Sequence, residues 1–113
     1  MIINYEIKRN VDNFFNLILK LYDFNIEICI IIATIDYDDN LITLNFIRTK
    51  TQYQNKGYAT KILKYLIELC KDLKINKIEL DDCSDNFNKT NNLYLQCGFK
   101  YKNDGEPEMI LII

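Results

Sequence analysis

Gln54-Asn55-Lys56-Gly57-Tyr58-Ala59-Thr60 sits where a β-rich run gives way to a strongly periodic helix, and it holds one of only three glycines in the chain. Before it, Leu41 to Thr49 (LITLNFIRT) is rich in β-branched and aromatic residues and free of breakers, which predicts a strand. After it, Ala59, Ile62, Leu63, Leu66, Ile67, Cys70 and Leu73 recur at helical spacing, with Lys61, Lys64, Glu68 and Lys71 between them. This pattern predicts a helix from about Gly57 to Leu73. A strand, a short loop and a helix start together aim backbone N–H groups at one point, where an anion is stabilised. Gly57 lets that backbone approach a ligand with no Cβ in the way. The surroundings suit an anion: no acidic residue occurs from Asn40 to Ile67, while Arg48, Lys50, Lys56, Lys61 and Lys64 fall there. The loop is neither a P-loop nor a three-glycine dinucleotide fingerprint.

The 113 residues suffice for one domain, 1–113, with a real core and are too few for two. A hydrophobic content of 49% and a charged content of 27% are those of an ordinary globular chain. A net charge of −2 argues against broad binding to nucleic acid or to a membrane surface. The run Ile28 to Ala33 is too short to span a bilayer, and no signal segment leads from Met1, so a cytoplasmic protein is expected. The four cysteines, Cys29, Cys70, Cys83 and Cys97, form no C-x-x-C pair, and there is no histidine. Reduced, packed thiols and no metal site are therefore expected. Without histidine, Ser-His and Cys-His nucleophiles are excluded, and acid–base chemistry falls to carboxylates, Tyr, Cys, Lys, backbone or water.

Along the rest of the chain, Ile2 to Ile7 is expected as a strand. Val11, Phe14, Phe15, Leu17, Ile18 and Leu21 make a helical stripe over Val11 to Tyr22, with Asn10 as its cap. Asn25 to Asp36 reads as one buried strand or two joined by a bulge, turning through Tyr37-Asp38-Asp39-Asn40 into Leu41 to Thr49. Ile75 to Asp81 is expected as a strand parallel to 41–49, since a right-handed crossover through a helix joins them. Ser84 to Asn88 is expected as a polar loop and Thr90 to Gln96 as a short helix ended by Gly98. Strands at Phe99 to Lys102 and Glu108 to Ile113 flank the Asn103-Asp104-Gly105 turn. The unalternating end Met109 to Ile113 should be buried on both faces, within its own sheet or at a homodimer interface.

Gln54-x-x-Gly57-x-Ala59 resembles the pyrophosphate loop of the GNAT superfamily of acyl-CoA-dependent N-acetyltransferases. The second half carries a further pattern of that family, Tyr94-Leu95-Gln96-Cys97-Gly98-Phe99 behind the Asn-rich run Asn86 to Asn92. The two blocks stand in the family's order, separated by a helix and a strand, and the resemblance covers roughly residues 41 to 113. Asp81-Asp82-Cys83-Ser84, Cys97-Gly98-Phe99 and Glu108-Met109 also resemble small glucosamine-phosphate N-acetyltransferases. There are departures. Thr90 stands for a family alanine and Phe87 for a family Asn, with Asn86 or Asn88 as substitutes. The strand before the loop has no Glu, and one of the usual two helices between the first two strands is missing.

The resemblance implies an α/β (α+β mixed sheet) fold: a central twisted, mostly antiparallel sheet with one splayed parallel strand pair, flanked by helices. It implies acetyl-CoA as co-substrate, held by backbone at Ile47, Arg48 and Thr49 and by Gln54, Asn55, Lys56, Gly57, Tyr58, Ala59 and Thr60, with Asn88 and Tyr94 beyond. It implies transfer to a small-molecule or peptide amine acceptor by direct attack, with Tyr94 as the acid for the departing thiolate. Glu79, Asp81, Asp82 and Asp85 form an acidic cluster expected beside the cleft, and Asp81 and Asp82 are the candidates to attract the amine or relay its proton. Cys83 reads as a packing cysteine, since no base partner is visible. Two other readings compete: a non-catalytic acyl-CoA-binding or sensor module, and a small cofactor-free interaction domain with Arg48 to Lys64 as its basic face.

Overall fold

The structure is a computed structural model, and it describes residues 1–83 and 92–113. A seven-stranded sheet runs in the order β1-β2-β3-β4-β5-β7-β6. Its strands are β1 (Ile2–Val11), β2 (Phe14–Asp23), β3 (Ile26–Asp36), β4 (Leu41–Thr49), β5 (Lys77–Asp81), β6 (Lys100–Tyr101) and β7 (Glu108–Ile112). Among the described residues only β4 and β5 pair in parallel, and helix α1 (Tyr58–Asp72) crosses between them; the short helix α2 (Leu93–Gln96) precedes β6. The expected mixed sheet with one parallel pair is the fold observed.

The largest correction lies near the start. Residues 11–22 do not form a helix: β1 turns through Asp12 and Asn13 into β2, pairing Val11 with Phe14. The physical reason is the other period in the same residues. Leu17, Leu19 and Leu21 are fully buried on one side of the pleat, while Ile18 and Lys20 lie on the other. Asp12 takes the left-handed backbone that such a tight turn demands, at φ 49°. The turn then docks on its neighbour, with Asn13 Nδ2 donating to Asp38 Oδ1 at 2.7 Å. So β1 and β2 form a hairpin, and no helix lies between the first two strands.

The core is one-sided. Leu17, Leu19, Leu21, Ile31, Ala33 and Ile35 bury one face of the sheet under Ile62, Leu63, Leu66 and Cys70 of α1. Ile18, Ile32 and Phe46 stand in one row on the other face, where Ile32 and Phe46 are exposed. The strand over 26–36 is continuous, with Ile28 bulged between the pairs Tyr22–Glu27 and Leu21–Cys29. β7 lies between β5 and β6, but the apolar run at 109–113 is not buried on both faces: Met109 is fully buried, while Ile112 is 67% exposed.

Candidate active site

Two openings meet at one tyrosine. The first is created by β4 leaving β5. The parallel ladder holds only through Leu41–Lys77, Ile42–Ile78 and Thr43–Glu79, although β4 runs on to Thr49. A bulge sits at the parting point: Leu44 pairs with Ala33 and Phe46 with Ile32, leaving Asn45 extra. Asn45 Nδ2 anchors that extra residue to Thr34 Oγ1 at 2.8 Å. A bulge bends its strand and sharpens its twist, which accounts for the divergence. Between the splayed strands lies a cleft of about 650 Å³, lined among others by Ile47, Phe46, Asp81, Cys83, Glu108 and Tyr94.

The second opening is a groove of about 460 Å³ at the start of α1. Thr49, Gln54, Asn55, Gly57, Tyr58, Ala59, Thr60 and Tyr94 all line it, which gathers most of the residues the sequence singled out. Ile47 belongs to the cleft instead. Arg48 is exposed and Lys56 stands on the exposed loop, neither of them in the groove lining. Asn88, with Asp85, lies outside the described residues.

Loop geometry explains the groove. Asn55 (φ 61°) and Gly57 (φ 85°) both take left-handed backbone, which turns the chain sharply before the helix. A Cβ built on Gly57 would meet nothing within 4 Å, so the space in front of that backbone is open to a ligand. The first turn of α1 has no acidic side chain, which leaves its N-terminal N–H groups free of a competing carboxylate. Gln54 is a strut: its Nε2 donates to the Thr49 carbonyl at 3.1 Å and closes the loop onto the end of β4. Tyr53 and Tyr58 meet edge to face at 6.1 Å beside it. A strand edge with no ladder partner followed by this loop fits an extended amide chain ending in a pyrophosphate, which is the shape of coenzyme A.

Tyr94 lines both openings. The residue is 8% exposed and packs edge to face on Phe99, and its hydroxyl, which makes no hydrogen bond among the described residues, is open to solvent. Burial pushes its pKa up to about 12, with the charges of Asp82 and Cys83 adding to the effect. The phenol therefore stays protonated and can donate.

Residues 28–99 match the acetyltransferase (GNAT) family. The chain belongs to that family. No curated protein sequence matches it, but solved GNAT-type structures do. An acetyltransferase from Bacillus subtilis in complex with CoA has 13% identity and a TM-score of 0.72, over 98% of this chain and 99% of that one. The PaiA N-acetyltransferase of Thermoplasma acidophilum, in complex with coenzyme A, has 21% identity and a TM-score of 0.71, over 85% of this chain. The chain spans 60% of the length of that protein. Mutant forms of the spermidine/spermine N-acetyltransferase SpeG from Vibrio cholerae have 18% identity and a TM-score of 0.69, over 89% of this chain and 68% of that one. At these identities the likeness is one of fold.

In this GNAT domain the two aspartates part company. Asp81 is exposed and lines the cleft. Asp82 is 2% exposed and faces inward, where its Oδ2 accepts from Asn92 Nδ2 at 2.7 Å and from the Tyr101 hydroxyl at 2.6 Å. Asn92 in turn caps α2, its Oδ1 accepting from the backbone N–H of Tyr94 (2.8 Å) and Leu95 (3.2 Å). A chain of contacts thus runs from Asp82 through Asn92 to the backbone of Tyr94. Sequence reasoning started the helix at Thr90 and passed over Asn92, although an Asn directly before Leu93-Tyr94 is an ordinary capping signal. It also missed Phe46 and Glu108, which reach the cleft only through the bulge and the β5–β7 pairing.

Proposed function

We propose that the protein transfers the acetyl group of acetyl-CoA to an amine by direct attack. The observation that carries this is the Tyr94 hydroxyl, unpartnered where the loop groove and the splayed-strand cleft meet. When bound, acetyl-CoA supplies an acyl group activated as a thioester. Gly57 and its neighbours would hold the pyrophosphate by backbone N–H groups, and the free edge of β4 beyond Thr43 would hold the pantetheine amides. A new C–N bond forms as the C–S bond breaks, so the amine must lose a proton and the sulfur gain hydrogen-bond support. Tyr94 would perform the second task, with a proton held at its Oη. The amine's proton leaves through water in the open cleft, and Asp81, exposed on its rim, attracts the cationic acceptor. Asp82 is the positioning group that sets Asn92 and, through it, α2. This reading sets the reaction in the cytoplasm, where free thiols such as Cys29, Cys70, Cys83 and Cys97 stay reduced.

The test is thermal. Acetyl-CoA at roughly a hundredfold excess over its dissociation constant should stabilise the fold by about 2.7 kcal/mol. Gly57→Glu should abolish that gain, because a Cβ and a carboxylate would fill the open face of the loop. No stabilisation of the unaltered protein at millimolar acetyl-CoA would sink the proposal. Stabilisation without thiol release across a broad amine panel would leave a binding module.

A further inference from the structure

The cleft has an acidic side and, among the described residues, nothing basic in its lining. Asp81 and Glu108 are direct cross-strand partners in the β5–β7 ladder, on the face that also bears Glu79. Like charges in directly opposed positions destabilise a sheet, so this pairing works against the fold at the place where it occurs. All three carboxylates line the cleft, and no Lys or Arg does among the described residues. Among the described residues the ammonium paired with them is Lys102, which stands 2.8 Å from Glu79 and 3.4 Å from Glu108. Among the described residues that sets three carboxylates against a single paired cation. Asp81 has no ion pair or side-chain hydrogen bond among the described residues. Across the cleft, Phe46 of β4 offers a 43% exposed ring to the same space. The independent sign that a ligand belongs here is Tyr94 of the cleft lining, a residue more than nine-tenths buried whose hydroxyl stays open to solvent and makes no hydrogen bond among the described residues.

We propose that the acceptor is an aliphatic amine carrying a second ammonium group, held by Asp81 and Glu108 with Phe46 beneath it, while its other, neutral amine reaches toward Tyr94. This rests on the acetyl-transfer reading and names its substrate class. The second cation offsets the repulsion between the paired carboxylates, and the aromatic face favours it further. An acceptor bearing a carboxylate or phosphate in that position would face the same charges with the opposite sign.

Hexylamine, its α,ω-diamine and its ω-amino acid have the same chain length and differ only at the far end. Acetyl-CoA-dependent thiol release with each, at matched low ionic strength, gives three values of kcat/KM, and CoA binding is measured by calorimetry on the same samples. The diamine should exceed the monoamine by about tenfold, and the amino acid should fall below both. Glu108→Gln with Asp81→Asn should bring the diamine to monoamine ratio down to about twofold, the advantage of having two reactive ends. Higher salt should erode the ratio in the same direction. Equal rates for the three amines, or a ratio unmoved by the double variant, would overturn this inference while CoA binding and turnover left acetyl transfer standing. No CoA binding and no thiol release would overturn both.

Discussion

Tyr94 concentrates the chemistry of the site in one side chain, and its surroundings say what replacing it should do. The ring packs on Phe99, and the hydroxyl bonds to nothing among the described residues. Tyr94→Phe should therefore change stability by no more than about 0.5 kcal/mol and leave CoA affinity nearly intact. Turnover should drop by roughly one to three orders of magnitude with Michaelis constants little changed, because the donor acts in the transition state and water replaces it only in part. A core tyrosine would do the reverse, losing melting temperature and keeping turnover, so both are measured on one sample. A stable, CoA-binding variant with unaltered turnover would mean that another group is the acid. The pH profile adds a second check. With a pKa pushed up to about 12 by burial, the hydroxyl remains protonated, so turnover should rise as the amine deprotonates and show no descending limb below about pH 10. The sequence pointed to Tyr94 by its place in a motif; its burial between two openings needed the fold.

At the scale of elements, α2 is only four residues long and cannot hold itself together, since a helix nucleus forms at a loss. Asn92 supplies two capping bonds from one side and an anchor to Asp82 from the other. Asn92→Ala should cost about 1–3 kcal/mol and lower kcat more than the KM for acetyl-CoA when measured well below the melting temperature, since Tyr94 loses its placement while the loop groove keeps its own struts. An unchanged kcat in the folded fraction would reduce Asn92 to a structural role. Legibility of elements followed the strength of their period. The strand, loop and helix over 41–73 carry a single unambiguous pattern, and they fold as read. Val11 to Tyr22 carries two: Phe14, Phe15, Leu17, Ile18 and Leu21 fit a helix, and Phe15, Leu17, Leu19 and Leu21 fit a strand. What decided between them was pairing with β1 and β3 on both edges, an interaction between distant residues that no window contains. The bulge at Asn45, which opens the cleft, was hidden for the same reason. It exists only as a mismatch in register with β3.

As a whole the molecule is a slab, 38 × 37 × 20 Å, with its core between one face of the sheet and α1. The parallel pair of β4 and β5 was legible because a crossover helix of known hand leaves few alternatives, whereas the order of strands was not, since β2 reads as a helix in the sequence. The composition of the cleft was not, because β5 and β7 meet across the intervening residues 82–107. The one-sided core also sets how stability should depend on pH. Cys70 of α1 is fully buried, and burial pushes its thiol up to about 12 from an ordinary 9. Tyr94 is raised to about 12 from an ordinary 10. Both are neutral in the fold and ionise more readily when the chain unfolds. Their contribution is therefore complete below pH 9 and falls as pH climbs toward about 12, since the unfolded chain releases protons that the native one retains. Each group that titrates only in the unfolded chain lowers stability by about 1.4 kcal/mol per pH unit. Urea midpoints should hold steady from neutrality to pH 9 and then fall with increasing slope through pH 11. Cys70→Ala should start from a lower midpoint, because it leaves a small cavity under the sheet, and should show a shallower decline between pH 9 and 10 because one of the thiols raised by burial is gone while Cys29 and Cys97 remain. If the two proteins declined in parallel, the buried thiol would not be the source of the alkaline loss; if neither declined before pH 11, the burial of both groups would be weaker than the packing around α1 requires.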